Sequence, residues 1–116
     1  KAITERYLSN LQFESGIKCL QPQKDVIPNY AYFPAVFENY KYTRDEIIKK
    51  LEHADIYARK YFYPLTNDFE CYQDYPTAGA EKTPVAKYIA DRVLTLPLYA
   101  DLSMEDVNRI CDIILK

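Results

Sequence analysis

Three helix starts punctuate this chain, and they constrain its fold more than any other feature. Thr43-Arg44-Asp45-Glu46 reads as a capping box. There the Thr43 hydroxyl accepts from the Glu46 amide and the Glu46 carboxylate reaches back. Thr83-Pro84 reads as a cap followed by a proline in the first turn, where a missing N–H does no harm. Ser103-Met104-Glu105-Asp106 caps a final helix. Behind each start runs an apolar stripe at helical spacing: Ile47, Ile48 and Leu51, then Val85, Ile89, Ala90 and Val93, then Val107, Ile110, Cys111 and Ile114. A fourth stripe, Ile3, Tyr7, Leu8 and Leu11, opens the chain with no cap before it. Short helices with one apolar face need a shared surface on which to bury it.

The stretches between them supply that surface. Ile17–Leu20 is a short strand candidate, and Asn29–Phe37 a longer one, rich in aromatic and β-branched residues. Pro34 inside it argues for an edge position or a bulge, because proline cannot donate to a ladder. Ile56–Tyr63, closed by Pro64, is a third candidate, and Leu94–Tyr99 a short extended fourth. Thr66–Pro76 reads as a polar and aromatic connection. The expected fold class is α+β: a small, mainly antiparallel sheet with helices packed on one face. With no repeat or linker in its 116 residues, the chain reads as a single domain, 1–116.

Composition closes off several functions. Fifteen Lys+Arg face 17 Asp+Glu, so no basic excess exists to neutralise a nucleic-acid backbone. No apolar run approaches the ~18 residues of a membrane span. The two glycines, Gly16 and Gly79, stand apart and form no phosphate-cradling loop. Cys19, Cys71 and Cys111 are widely spaced with His53 as the sole histidine, a poor set for a structural metal. They read as reduced thiols, buried or half-buried, in a cytoplasmic protein. No nucleophile has a base beside it, so no catalytic residue is assigned. His53 sits on a charged helix face and reads as solvated. The acid pairs Asp45/Glu46 and Glu105/Asp106 belong to helix first turns, where they offset orphan amides.

Tyrosine is the conspicuous residue: 12 of them, with no tryptophan. Tyr30 and Tyr32 lie two apart, as do Tyr61 and Tyr63, which would place each pair on one strand face. Such rows suit stacking on a base or sugar, or a subunit interface, or a core whose hydroxyls reach the surface. Arg59 and Lys60 alongside add donors for phosphate or carboxylate.

At Arg59–Leu65, Arg-Lys-Tyr-Phe-Tyr-Pro-Leu, the chain resembles the C-terminal part of the DegT/StrS-type sugar aminotransferases. Arg6–Leu11 and Tyr30–Pro34 resemble the helix and strand that precede that segment. Thr83-Pro84-Val85-Ala86 through Arg92–Tyr99 resembles the stretch that follows it, with Met104–Leu115 as the terminal helix. The resemblance implies the small C-terminal domain of a fold-type-I enzyme that uses pyridoxal phosphate to aminate a nucleotide-linked keto-sugar, commonly with glutamate as amino donor. It implies a homodimer in which this domain closes part of the active-site mouth. It places Arg59, Tyr61 and Tyr63 near the nucleotide-sugar, with Tyr32 beside them. None of the lysines lies in a segment like the family's Schiff-base lysine, so no cofactor-binding residue is expected in these 116 residues. Many members carry a histidine soon after the Tyr-Pro pair; Thr66-Asn67-Asp68 stands there instead. Lys1 and the uncapped first helix suggest a piece of a longer protein, with a processed N-terminus as the rival reading. Two functional alternatives remain at this point: a free-standing binding module with an aromatic face, and a regulatory homologue without aminotransferase activity.

Overall fold

Each of the four apolar stripes yields a helix in the computed structural model, which describes residues 1–116, although Val93, expected on the third, opens a strand instead. The helices are α1 (Ala2–Leu11), α2 (Arg44–Glu52), α3 (Pro84–Ala90) and α4 (Met104–Leu115). The capping box forms as expected. The Thr43 hydroxyl accepts from the Glu46 amide at 3.3 Å, and a Glu46 oxygen accepts from the Thr43 amide at 2.7 Å. Ser103 accepts from the Asp106 amide at 3.0 Å. Helix α1 has no side-chain cap, in keeping with the Lys1 that precedes it.

Three strands form one antiparallel sheet in the order β1 (Ile17–Cys19), β2 (Phe33–Phe37), β3 (Val93–Leu96). Gly16 delivers the chain into β1 at φ 86°, where a side chain would press on the Tyr40 backbone at 2.7 Å. Along β2, Phe33, Ala35 and Phe37 are buried while Pro34 and Val36 are half-buried, the alternation of a sheet with one well-packed face. On that inner face Phe33, Ala35 and Leu94 join Tyr7, Leu11, Ile47, Leu51, Val107 and Ile114 in a single core. Helices α1, α2 and α4 therefore share the inner face, as expected. Three residues before α2 fasten the end of α4, whose last carbonyls have no helical partner. Tyr40 donates to Ile114 O, Lys41 to Leu115 O and Tyr42 to Lys116 O.

Helix α3 departs from the expected one-face arrangement. Ile89 and Tyr88 lie with Lys18, Val36 and Val93 around a cleft on the opposite, outer face of the sheet. Of its expected buried stripe only Ala90 and Val93 are buried; Val85 is 76% exposed and Ile89 39%. Nor does Thr83 cap the helix. Its hydroxyl accepts from Asn67 Nδ2 instead, at 3.2 Å.

Pro34 sits in the central strand rather than at an edge, and the register explains how. Thr95 gives both its backbone groups to Arg59, on the side away from β2. Pro34, opposite Thr95, therefore turns its N–H-less nitrogen toward β1. But β1 ends at Cys19, opposite Ala35, one residue short of needing that donor.

The third strand candidate, Ile56–Tyr63, does not form a strand. It touches β3 only through the Arg59–Thr95 pair, with N–O distances of 3.0 and 2.8 Å. The outward positions of β3 are Val93, Thr95 and then Pro97. Arg44 takes the Val93 carbonyl, and Pro97 has no N–H to offer, so a fourth strand has nowhere to propagate. Similarly, the strand around β2 begins at Phe33, not Asn29, and Tyr30 has a φ of 54°. The two tyrosine pairs are thus not strand rows. Finally, Cys71 is exposed, contrary to expectation, while Cys19 is half-buried and Cys111 buried.

Candidate functional site

The outer face and the free edge of β3 carry the aromatic and apolar cavities. One, of about 310 Å³, opens at the free edge of β3. Arg59 enters it because its backbone is locked to Thr95. Tyr61, two residues on, lines the same cavity, and Tyr32 arrives from the segment before β2. The Tyr32 and Tyr61 rings meet edge to face at 5.2 Å, a favourable geometry for two quadrupoles. Arg59 Nη1 donates to the Tyr61 hydroxyl at 3.4 Å. No carboxylate lies within ion-pair distance of Arg59. Its charge is available to an anion.

Three of the four residues singled out from the sequence therefore come together: Tyr32, Arg59 and Tyr61. Tyr63 does not line the cavity. Its ring packs under the Arg44 guanidinium at 5.1 Å and beside the Lys60 ammonium at 5.6 Å. Two tyrosines not singled out, Tyr57 and Tyr99, complete the wall. Tyr57 carried a faint signal, two residues before Arg59. Tyr99 could be found only through the tertiary fold, which holds the Pro97 carbonyl on the Tyr7 hydroxyl at 2.9 Å. Burial raises the Tyr7 pKa well above the ordinary phenol value, with smaller contributions from Cys111 and Tyr99. The hydroxyl so remains a donor.

Two other clefts have different chemistry. One, of about 640 Å³, runs between Tyr61, Phe62, Leu65 and the α3 residues Pro84, Val85 and Ile89, with no cation in its wall. The other, of about 830 Å³, lies between α2 and α4 and is lined by charges of both signs. His53 belongs to the second, exposed at the end of α2 with Nδ1 2.6 Å from the Lys49 carbonyl. No three His, Cys, Asp or Glu side chains gather as a metal cage. The segment standing where many relatives of the resembled family have a histidine serves the fold. Asn67 Nδ2 donates to the Gly79 carbonyl at 2.8 Å, and the Asn67 backbone carbonyl accepts from the Gly79 amide at 2.7 Å.

What can the Arg59 cavity do? It pairs one free guanidinium with several aromatic faces and hydroxyls in a partly enclosed space. That combination suits an anion attached to a ring, held by charge-assisted hydrogen bonds and stacking. It contains no lysine, so a group held as a Schiff base finds no attachment there. The site offers binding groups and no acid–base pair.

The chain is 34% identical over 116 residues to an Escherichia coli protein described as dTDP-4-amino-4,6-dideoxy-D-glucose transaminase, covering 99% of this chain and 31% of that protein. The fold matches DesI, solved with its TDP-sugar product, with a TM-score of 0.82 and 23% identity over 97% of this chain and 29% of that one. It also matches TlmJ, an aminotransferase from Streptoalloteichus hindustanus, with a TM-score of 0.82 and 24% identity, again over 97% and 29%. The chain spans about a third of the length of these relatives. The family model for DegT/DnrJ/EryC1/StrS aminotransferases matches residues 1–115, and the chain belongs to that family.

Proposed function

We propose that residues 1–116 form the C-terminal small domain of a pyridoxal-phosphate-dependent aminotransferase that acts on a nucleotide-linked keto-sugar in amino-sugar biosynthesis. The observation that carries this reading is the unpaired Arg59 inside a ring of tyrosines, in a chain aligned from end to end with a dTDP-sugar transaminase. Arg59 holds a phosphate or a sugar hydroxyl, and Tyr32 and Tyr61 stack on or hydrogen-bond the ring beside it. The same walls exclude water from one side of the bound sugar.

Pyridoxal phosphate supplies the electron sink for amino transfer in such an enzyme. No lysine lines the aromatic cavity, and the family resemblance implies no cofactor-binding residue in this chain. The cofactor's lysine and phosphate cup belong to the part of the family's length that this chain does not span. Glutamate is the amino donor that the family resemblance implies. By the same resemblance the enzyme is a cytoplasmic homodimer; no helix here is long and apolar enough to cross a membrane.

The test is Arg59→Ala in the full-length protein, assayed for transamination of dTDP-4-amino-4,6-dideoxy-D-glucose with 2-oxoglutarate. Loss of a charged hydrogen bond to the substrate predicts a rise in KM of about 10- to 100-fold. Unchanged KM and kcat remove Arg59 from the site. A second check uses the 116-residue chain itself. Mixed with pyridoxal phosphate it should show no stoichiometric aldimine absorption band that borohydride traps.

A further inference from the structure

We propose that Arg44 is a positioning residue for the Arg59 cavity, acting through Tyr63 and Lys60 without touching the cavity itself. The proposal rests on the nucleotide-sugar reading above for its functional consequence, though not for its geometry.

Arg44 is an odd residue where it stands. It is the first residue of α2, where the helix dipole favours anions, and a cation there weakens the helix. It is 4% exposed, while long cations are almost never buried unless paired. Something other than α2 must account for it. Its Nη1 donates to the Ala90 carbonyl at 2.8 Å and the Val93 carbonyl at 3.3 Å. The first is a free carbonyl at the end of α3, the second the outer edge of β3. One guanidinium thus joins α2, α3 and the sheet.

The same group forms the floor under the site segment. Nε lies 2.8 Å from Asp45 Oδ1 as an ion-pair contact, without an aligned hydrogen bond. Asp45 Oδ1 also receives Lys60 Nζ at 2.7 Å. The Lys60 hydrogen bond, with help from Arg44, holds the Asp45 carboxyl below the usual carboxylate range. Tyr63 lies across both cations. The backbone from Lys60 to Pro64 makes a single hydrogen bond, Tyr63 N–H to Lys60 O at 3.0 Å. Arg59 is tied to Thr95, but Tyr61 and the turn after it depend on the Arg44–Asp45–Lys60–Tyr63 cluster for their place. A lysine at position 44 cannot reproduce this: its ammonium could bridge the two carbonyls, but it has no planar group to lay on the Tyr63 ring and no second nitrogen for Asp45.

The experiment compares Arg44→Lys, Arg44→Met and Lys60→Met in the full-length protein, with Leu8→Ala as a control on the inner face. Circular dichroism verifies folding; Lys60, half-exposed, gives a variant that keeps the fold if Arg44 variants do not. Each folded cluster variant should raise KM for dTDP-4-amino-4,6-dideoxy-D-glucose about tenfold and leave kcat within about twofold, as expected when a binding group is misplaced. Hydrogen exchange at the Arg59, Tyr63 and Thr95 amides should quicken in the same variants. Leu8→Ala should lower the melting temperature and change neither readout. Folded cluster variants with wild-type KM and wild-type exchange at those amides overturn the proposal. If the wild type does not transaminate this sugar, that substrate assignment fails, and amide exchange alone decides the role of Arg44.

Discussion

The two faces of the sheet are built by different means. The inner face is a continuous apolar core in which α1, α2 and α4 each contribute two or more buried side chains. The outer face is held by single polar contacts: Arg59 to Thr95, Arg44 to Ala90 and Val93, Asn67 to Gly79 and Thr83. Its large apolar side chains, Phe62, Tyr63, Val85 and Tyr99, are 50% or more exposed. Burial on the inner face supplies stability, and the cleft between α2 and α4 on that side is lined by charges of both signs. Point contacts on the outer face leave clefts, and the cavity with the free cation is one of them. The fold thus divides labour between its two surfaces.

Substitutions should separate the two faces by size of effect. The largest belongs to the core. Leu51→Ala removes a fully buried side chain and should cost about 2–5 kcal/mol in urea denaturation. A value near zero would mean the inner face is not the stabilising one. Asn67→Ala comes next, at about 1–2 kcal/mol, because it strips the Gly79 carbonyl and the Thr83 hydroxyl of their shared donor. Tyr7→Phe keeps the packing and loses only the bond to Pro97; about 1 kcal/mol is expected. Should Tyr7→Phe cost as much as Leu51→Ala, the hydroxyl has a larger role than one hydrogen bond.

Smaller still is the contribution of Asp45, which depends on pH. Its pKa is depressed in the folded chain, chiefly by Lys60, so the folded state binds fewer protons than the unfolded one near the ordinary carboxylate range. That stability is present above the unfolded value of about 3.9 and fades as pH falls through the depressed value. Asp45→Asn should therefore lower the denaturation midpoint at pH 6 and be indistinguishable from wild type at pH 2. An exposed carboxylate is screened, so the shift is modest. A difference that grew toward pH 2 would refute the linkage. Val85→Ser on the exposed side of α3 should stay within about 0.5 kcal/mol.

The inner face was the legible one. Ile47, Leu51, Val107, Ile110, Cys111 and Ile114 could be read from spacing, because a helix that buries one face repeats its apolar residues with its own period. The capping box and Ser103 could be read because their partners lie three residues away. The outer face was legible only in part. Val85 and Ile89 have the right spacing on α3 but no surface above them, and periodicity cannot tell a covered face from a bare one. Tyr61 and Tyr63 have the spacing of a strand pair, yet no strand forms. Arg59, Tyr61 and Tyr32 are legible through the family's motif and the spacing of the tyrosine pairs, while Tyr57, two residues before Arg59, and Tyr99, at the end of the Arg92–Tyr99 stretch, carry no local sign that they share a cavity.

By itself, then, the sequence determined what depends on neighbours within one turn of chain: four helices, their starts, and the residues of the common core. It also held the family motif at Arg59–Leu65. Only the tertiary structure decided which edge of β3 stayed open, that Pro34 sits in a central strand beside a shorter one, and that Arg44 is buried beneath Tyr63. Those outcomes turn on which hydrogen-bonding group reaches a given carbonyl first. Val93 is the case in point: its partner, Arg44, lies 49 residues away. No local pattern records a contact at that distance, because its energy exists only once both ends have been brought together by the core.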